Sequence, residues 1–182
     1  MMMKKRTTLD LTLTAVFAAL MAVCSWITVP APLVPFTLQT FAVEAALFML
    51  GGARGCAAIG IWLALGLCGV PVFSRFNGGA GYMLGPTGGY ILGFLLTGLV
   101  WSLLEKKAGE SRLRRLLLMA AAVAACYAAG TLWFWLFNGR EKGMSLWRVL
   151  EICVIPFLIP DAAKLVLAEQ ISWRMRKIPQ LR

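Results

Sequence analysis

The chain has 182 residues, of which 60% are hydrophobic and only 14% charged; it carries a net charge of +10 and no histidine. Soluble domains average about 25% charged residues, so a soluble globular enzyme is excluded, and no polar stretch is long enough to form a separate soluble domain at either end. A nucleic-acid module would need a basic face on a soluble fold; here the positive charge fits membrane topology and anionic lipid headgroups instead. The expectation is an all-α, polytopic membrane protein in which residues 1–182 form one domain.

Apolar segments run from about Leu9 to Val29, Val34 to Leu50, Arg54 to Val72, Tyr82 to Leu104, Leu113 to Phe137 and Val149 to Trp173, predicting a bundle of six transmembrane helices. A helix needs about 20 residues to cross the hydrocarbon. The second and third segments are slightly short of that and share a boundary at Gly51 and Gly52. Lys4, Lys5 and Arg6 flank the first segment as they would a signal peptide, yet the apolar stretch continues to Val29 without a cleavage site, so it reads as a span.

Basic residues in short loops resist translocation. With the N-terminus inside, the cytoplasmic segments hold Lys4, Lys5, Arg6, Arg54, Lys106, Lys107, Arg112, Arg114, Arg115, Arg174, Arg176, Lys177 and Arg182, while the outer side keeps Arg75, Arg140, Lys142 and Arg148. The expected location is therefore the cell membrane, with both termini cytoplasmic.

Along the first segment, Ala15 and Ala19, with Ala18 and Ala22 overlapping, form a small-xxx-small pattern that permits close helix contact. The turn from Val29 to Thr40 carries three prolines and no charge, followed by Thr37, Gln39 and Thr40. Proline stiffens such a turn, which either caps a pocket or makes a tight connection. Glu44 sits at apparent membrane depth; it either lines a cavity or pairs with a group on another helix. The five cysteines, Cys24, Cys56, Cys68, Cys126 and Cys153, form no CxxC pair and read as buried packing residues.

The stretch Val70 to Tyr90 joins the third and fourth spans and reads as a binding loop. Its glycines permit close backbone approach, and successive N–H groups suit an anionic carboxylate. Asn77, Gly78, Gly79 and Gly81 precede the helix and are the ligand candidates, whereas Gly85, Gly89 and Gly93, spaced by four, suit close packing of the fourth helix. In the last span Asp161 and Lys164 are three residues apart, so a helix presents both on one face. Pro156 and Pro160 disturb the backbone just before them, a feature tolerated at membrane depth where it lines a cavity. The pair reads either as a polar pocket or as a buried ion pair holding the bundle together. No GxxxxGK[ST] loop, proton-relay cluster or Ser/His/Asp set is present, so neither a built-in energy source nor an enzyme activity is expected.

Pro35-Phe36-Thr37-Leu38-Gln39-Thr40-Phe41, Gly69-Val70-Pro71-Val72-Phe73, Gly85-Pro86-Thr87-Gly88-Gly89-Tyr90, and Pro156-Phe157 through Asp161 to Lys164 together resemble the BioY family, in order and over nearly the whole chain. The chain departs from that family's pattern at Ser74-Arg75-Phe76, where relatives are richer in glycine. These are the biotin-binding S components of energy-coupling factor (ECF) transporters. The resemblance implies a six-helix bundle with the vitamin near the outer surface, no cofactor, and assembly with a transmembrane coupling protein and two ATPases. It also implies that Asn77, Asp161 and Lys164 line the biotin site, and that the alanine face of the first helix docks on the coupling protein. Biotin's ureido ring offers two N–H donors and a carbonyl, and its tail ends in a carboxylate. Asp161 would accept from the ureido N–H groups, Asn77 would add to ureido recognition, and Lys164 would bond either the ureido oxygen or the carboxylate. Among Phe36, Tyr82, Tyr90, Tyr127 and Trp133, Tyr82 and Tyr90 are the preferred rings to cover the bicycle.

Overall fold

The computed structural model describes residues 8–29, 36–140 and 142–176. The prolines of the turn from Pro30 to Pro35, and the basic residues Lys4, Lys5, Arg6, Lys177 and Arg182, lie outside the described residues. Among the described residues are eight α-helices and one hairpin of two very short strands, an all-α architecture. Helix α1 spans Thr8–Trp26, α2 Gln39–Leu50, α3 Gly52–Leu67, α4 Ala80–Met83, α5 Gly88–Ala108, α6 Arg112–Phe134, α7 Leu146–Cys153 and α8 Ile155–Met175. Strand β1, Thr28–Val29, pairs antiparallel with β2, Phe36–Thr37, in the register Thr28 to Thr37 and Val29 to Phe36.

Three of these helical stretches, Thr8–Trp26, Gly88–Ala108 and Arg112–Gly139, are long and apolar enough to cross a membrane by length and composition. The last includes the π-helical turn Trp135–Gly139 that extends α6. Helices α2 and α3 are apolar but have only 12 and 16 residues, below the roughly 20 that a straight span requires. Helix α8 has 21 residues and is diluted by Asp161, Lys164, Glu169 and Arg174.

Two of the expected segments are divided. The segment expected from Tyr82 to Leu104 is a one-turn α4 and a long α5, separated at Leu84–Thr87, because Pro86 has no N–H to carry a helix across that point. The segment expected from Val149 to Trp173 is α7 and α8, which part at Val154 with φ −126° and ψ −55°. Pro156 then lies in the first turn of α8, where its missing donor is not needed.

Helix α2 occupies the middle, packed by α1, α3, α5 and α8. Its interior is built from small and medium side chains, Ala42, Val43, Ala45, Ala46 and Leu47, all buried. Helices α5 and α6 pack along their length. There Gly89 makes room for Trp133, Gly93 for Cys126, and Gly130 for the ring of Tyr90. Gly85 contributes differently: its carbonyl accepts from Trp133 Nε1 at 3.0 Å. Large apolar side chains point outward around the bundle, Ile159 at 83% and Leu103 at 76% exposure among them, a surface suited to lipid rather than water.

The end opposite the hairpin is tied by a buried polar cluster. Glu169, 1% exposed, accepts from Arg112 at 2.8 and 3.0 Å. Arg115, equally buried, donates to Ser172 Oγ at 3.3 Å and stacks over Phe48, while Ser172 donates to the Phe48 carbonyl at 3.1 Å. These contacts join α2, α6 and α8.

Candidate functional site

A cavity opens inside the bundle toward the hairpin end, walled by α2, α5, α6 and α8 and closed over by the loops above α3 and α4. Helix α8 supplies Phe157, Asp161 and Lys164; their spacing of about one turn puts them on one face. Strand β2 supplies Thr37, and helix α2 supplies Gln39, Thr40, Val43 and Glu44. Helices α5 and α6 supply Tyr90, Ile91, Phe94, Thr97, Val123, Cys126 and Tyr127; α4 adds Tyr82, α7 adds Cys153, and the connecting segments add Ser74 and Thr87.

The polar groups converge on Asp161, which is 7% exposed. Its Oδ1 accepts from Lys164 Nζ at 2.7 Å, and its Oδ2 accepts from the Tyr127 hydroxyl. Lys164 Nζ also donates to the main-chain carbonyl of Thr37 at 2.6 Å. The Thr37 hydroxyl donates to Gln39 Oε1 at 3.1 Å. One carboxylate thus joins α8 to α6, and one ammonium joins α8 to the hairpin. Phe36 stacks on Phe157 with ring centroids 4.1 Å apart and planes 12° apart, which seats the hairpin against α8. Tyr90 shares a 3.2 Å hydrogen bond with Thr131, and Tyr82 stacks on Phe73 at 5.7 Å, so both rings are held as walls.

Of the residues singled out from the sequence, Thr37, Gln39, Tyr82, Tyr90, Asp161 and Lys164 come together around this cavity. Asn77, Gly78, Gly79 and Gly81 do not line it. Asn77 Nδ2 instead donates to the Ser74 carbonyl at 2.8 Å, and the Asn77 carbonyl accepts from the Phe73 amide at 2.9 Å, closing a local turn. That turn holds Arg75 and Phe76 at φ +58°, a left-handed conformation costly for side chains other than glycine. Phe76 is steadied by stacking on Trp26 at 5.0 Å, and Trp26 Nε1 donates to the Pro71 carbonyl at 2.8 Å. Gly78 packs directly on the Val70 carbonyl, where any side chain would collide, and the Gly79 amide donates to the Gly66 carbonyl at 2.6 Å. Gly78 and Gly79 thus fold the loop onto the end of α3, and Ser74 is the member of this turn that reaches the cavity.

The four alanines of α1 divide between two faces. Ala15 and Ala19 are exposed, beside exposed Leu11 and Val23, whereas Ala18 and Ala22 are buried in the bundle's own core. Glu44 and Tyr127 both stand in the cavity wall, Tyr127 as a direct partner of Asp161. No spacing rule ties either of them to Asp161; the only signal was an acidic or phenolic group at membrane depth.

A helical bundle with apolar outer faces, enclosing a cavity of mixed aromatic and polar lining, defines a membrane protein that takes up a small molecule within its helices. Residues 2–180 match the BioY family model, and the chain belongs to that family. It is 38% identical over 165 residues to the biotin transporter BioY of Thermotoga maritima, covering 90% of this chain and 93% of that one. It is 35% identical over 167 residues to a probable biotin transporter BioY of Pyrococcus horikoshii, covering 92% and 96% of the two chains. A crystal structure of the S-component for biotin from an ECF-type ABC transporter superimposes with a TM-score of 0.85 at 28% identity, covering 97% of this chain and 95% of that one. The chain is accordingly a transporter component and not an enzyme.

Proposed function

We propose that this protein is the biotin-capturing S component of an ECF-type transporter, and that the cavity around Asp161 and Lys164 is its biotin site. The observation that carries the reading is the cluster of Asp161, Lys164, Tyr127 and the Thr37 carbonyl, a set of fixed donors and acceptors inside an otherwise apolar, aromatic-walled cavity. A fused bicycle with a polar urea edge matches such a lining: Tyr82, Tyr90 and Phe157 cover its apolar faces while Asp161 accepts from a ureido N–H. Lys164 spends two of its three donors on Thr37 and Asp161; the third is directed to the ureido oxygen. Among the described residues lining this cavity, two acidic side chains, Glu44 and Asp161, accompany one ammonium. That balance disfavours a ligand carboxylate beside them, so the valerate tail points toward the mouth, near Ser74 and Thr87. The turn of Asn77, Gly78, Gly79 and Gly81 lies over this mouth in the proposal and contacts the tail rather than the bicycle.

In the same reading six helices span the membrane: α1, α2, α3, α5, α6 and α8, with the short α2 and α3 sheltered by longer neighbours and α4 and α7 capping the outer end. The basic residues support this orientation. Arg54, Lys106, Lys107, Arg112, Arg114, Arg115, Arg174 and Arg176 collect at the end opposite the hairpin, against Arg75, Arg140, Lys142 and Arg148 at the hairpin end. Both termini are then cytoplasmic in the cell membrane. The outward pair Ala15 and Ala19 docks on the coupling protein, which with two ATP-binding subunits drives import.

Extraction of the ligand that co-purifies with detergent-solubilised protein, with its identification by mass spectrometry, tests the assignment. Biotin near one molecule per chain is expected. Another vitamin retained at that ratio would keep the fold reading and replace the ligand.

A further inference from the structure

Among the described residues, Glu44 is the one acidic side chain of the cavity whose oxygens are both without a hydrogen-bond partner, and it is 1% exposed. Burial of a carboxylate without donors is costly, and an unmatched buried polar group calls for a partner that the protein alone does not provide. Asp161 is in the opposite condition, because Lys164 and Tyr127 already occupy its two oxygens. Of the two carboxylates in the cavity, only Glu44 is fully open to a new donor.

No side chain or main-chain donor among the described residues reaches either oxygen of Glu44. It also borders a second cavity, between α6 and α8, lined by Ala120, Ala124, Ala162 and Leu165 together with Tyr127 and Asp161, which are hydrogen-bonded to each other. Five residues earlier on α2, about 7 Å along the helix axis, Gln39 shows the complementary deficiency. Its Oε1 is held by Thr37, while its buried Nε2 has no acceptor. An unmet acceptor and an unmet donor therefore face the same cavity.

We propose that Glu44 is a ligand-contacting residue that accepts a hydrogen bond from a ureido N–H of the bound molecule, at the deep end of the cavity beside Asp161. The assignment rests on the biotin reading above. It divides the urea between two carboxylates, one N–H to Asp161 and the other to Glu44, and leaves Gln39 to donate to an acceptor nearer the mouth.

The test is equilibrium binding of biotin, and of biotin methylated at each ureido nitrogen in turn, to purified wild type, Glu44→Met and Glu44→Gln, with thermal unfolding of each ligand-free protein. Leaving a buried ureido N–H without its acceptor corresponds to about 5- to 100-fold in affinity, and Glu44→Met should lose biotin affinity by that factor. Its ligand-free Tm should be no lower than wild type, because an apolar side chain of similar length replaces an unpartnered carboxylate. Methylation of one of the two nitrogens should weaken wild type by a similar factor and weaken Glu44→Met no further. Glu44→Gln, which keeps the shape and one acceptor, should fall between them and carries the comparison if the methionine variant does not fold. Equal biotin affinity in wild type and either folded variant would overturn the assignment while leaving the biotin reading intact. A lower Tm with equal losses for biotin and both methylated forms would overturn it in favour of a structural role. Failure of folded wild type to bind biotin at all would overturn the biotin reading itself, and this assignment with it.

Discussion

Lys164 donates to the main-chain carbonyl of Thr37 at 2.6 Å, across 127 residues of sequence, while its other hydrogen-bond acceptor, Asp161, is only three residues away on its own helix. One ammonium therefore does two things: it orients the Asp161 carboxylate, and it fastens the hairpin over the cavity. Loss of the lysine should both free the carboxylate and loosen the cover.

The energetic coupling of Asp161 and Lys164 is accessible to a double-mutant cycle. Asp161→Asn and Lys164→Met should each lower stability by about 2 kcal/mol, because each leaves one charge without its partner in a poorly hydrated place. The double variant should recover most of that loss and still fail to bind ligand. Thermal unfolding in one detergent, with ligand binding measured on the same samples, checks both halves.

Tyr127 holds the second oxygen of Asp161. Tyr127→Phe keeps the ring in the cavity wall and removes only the hydroxyl, so a stability loss of about 1 kcal/mol is expected. Ligand affinity should fall about fivefold as the carboxylate becomes less well oriented. Isothermal titration and a melting curve separate the two effects.

Glu169 lies about two turns further along α8 from Asp161 and acts on architecture alone. It is buried against Arg112 and Arg115, away from the cavity. Glu169→Gln should lower stability by about 3 kcal/mol, since Arg115 loses its nearby anion. Ligand affinity should stay within about twofold in folded protein, a change inside the usual scatter for residues away from a site.

On α1 the exposed pair Ala15 and Ala19 should tolerate enlargement as far as the isolated subunit is concerned. Ala15→Leu with Ala19→Leu fills the space that a closely docked helix needs. Co-purification with the coupling protein should drop about tenfold or more, while ligand binding by the free subunit is retained. Ala18→Leu should instead lower the Tm, because Ala18 is enclosed in the core.

Much of the site was legible where chemistry and helical period coincide. Asp161 and Lys164 announced themselves as charges one turn apart in an apolar segment, and Thr37 and Gln39 as polar groups at the mouth of a proline-rich turn. The Thr37 carbonyl was not legible, because a main-chain acceptor leaves no mark on residue identity. Asn77 carries a related ambiguity. A polar residue beside glycines suits a ligand or a turn equally well, and here its amide closes the turn on Ser74. The cluster of Glu169, Arg112 and Arg115 was hidden because basic residues at a span end fit lipid headgroups equally well. In the fold, hydropathy located the apolar segments but blurred the breaks at Leu84–Thr87 and Val154, which are only one to four residues long. Those breaks are set by Pro86 and by the backbone of Val154, local effects that an average over a whole span smooths away.

The central claim, vitamin capture in the cavity around Asp161, is tested most directly by equilibrium binding of labelled biotin to the detergent-purified protein, beside Asp161→Asn and Lys164→Ala variants shown to be folded. Saturable binding near one biotin per chain, lost in both folded variants, is the predicted result. Absence of binding by well-folded wild type free of co-purified ligand, or undiminished binding by both variants, would contradict it.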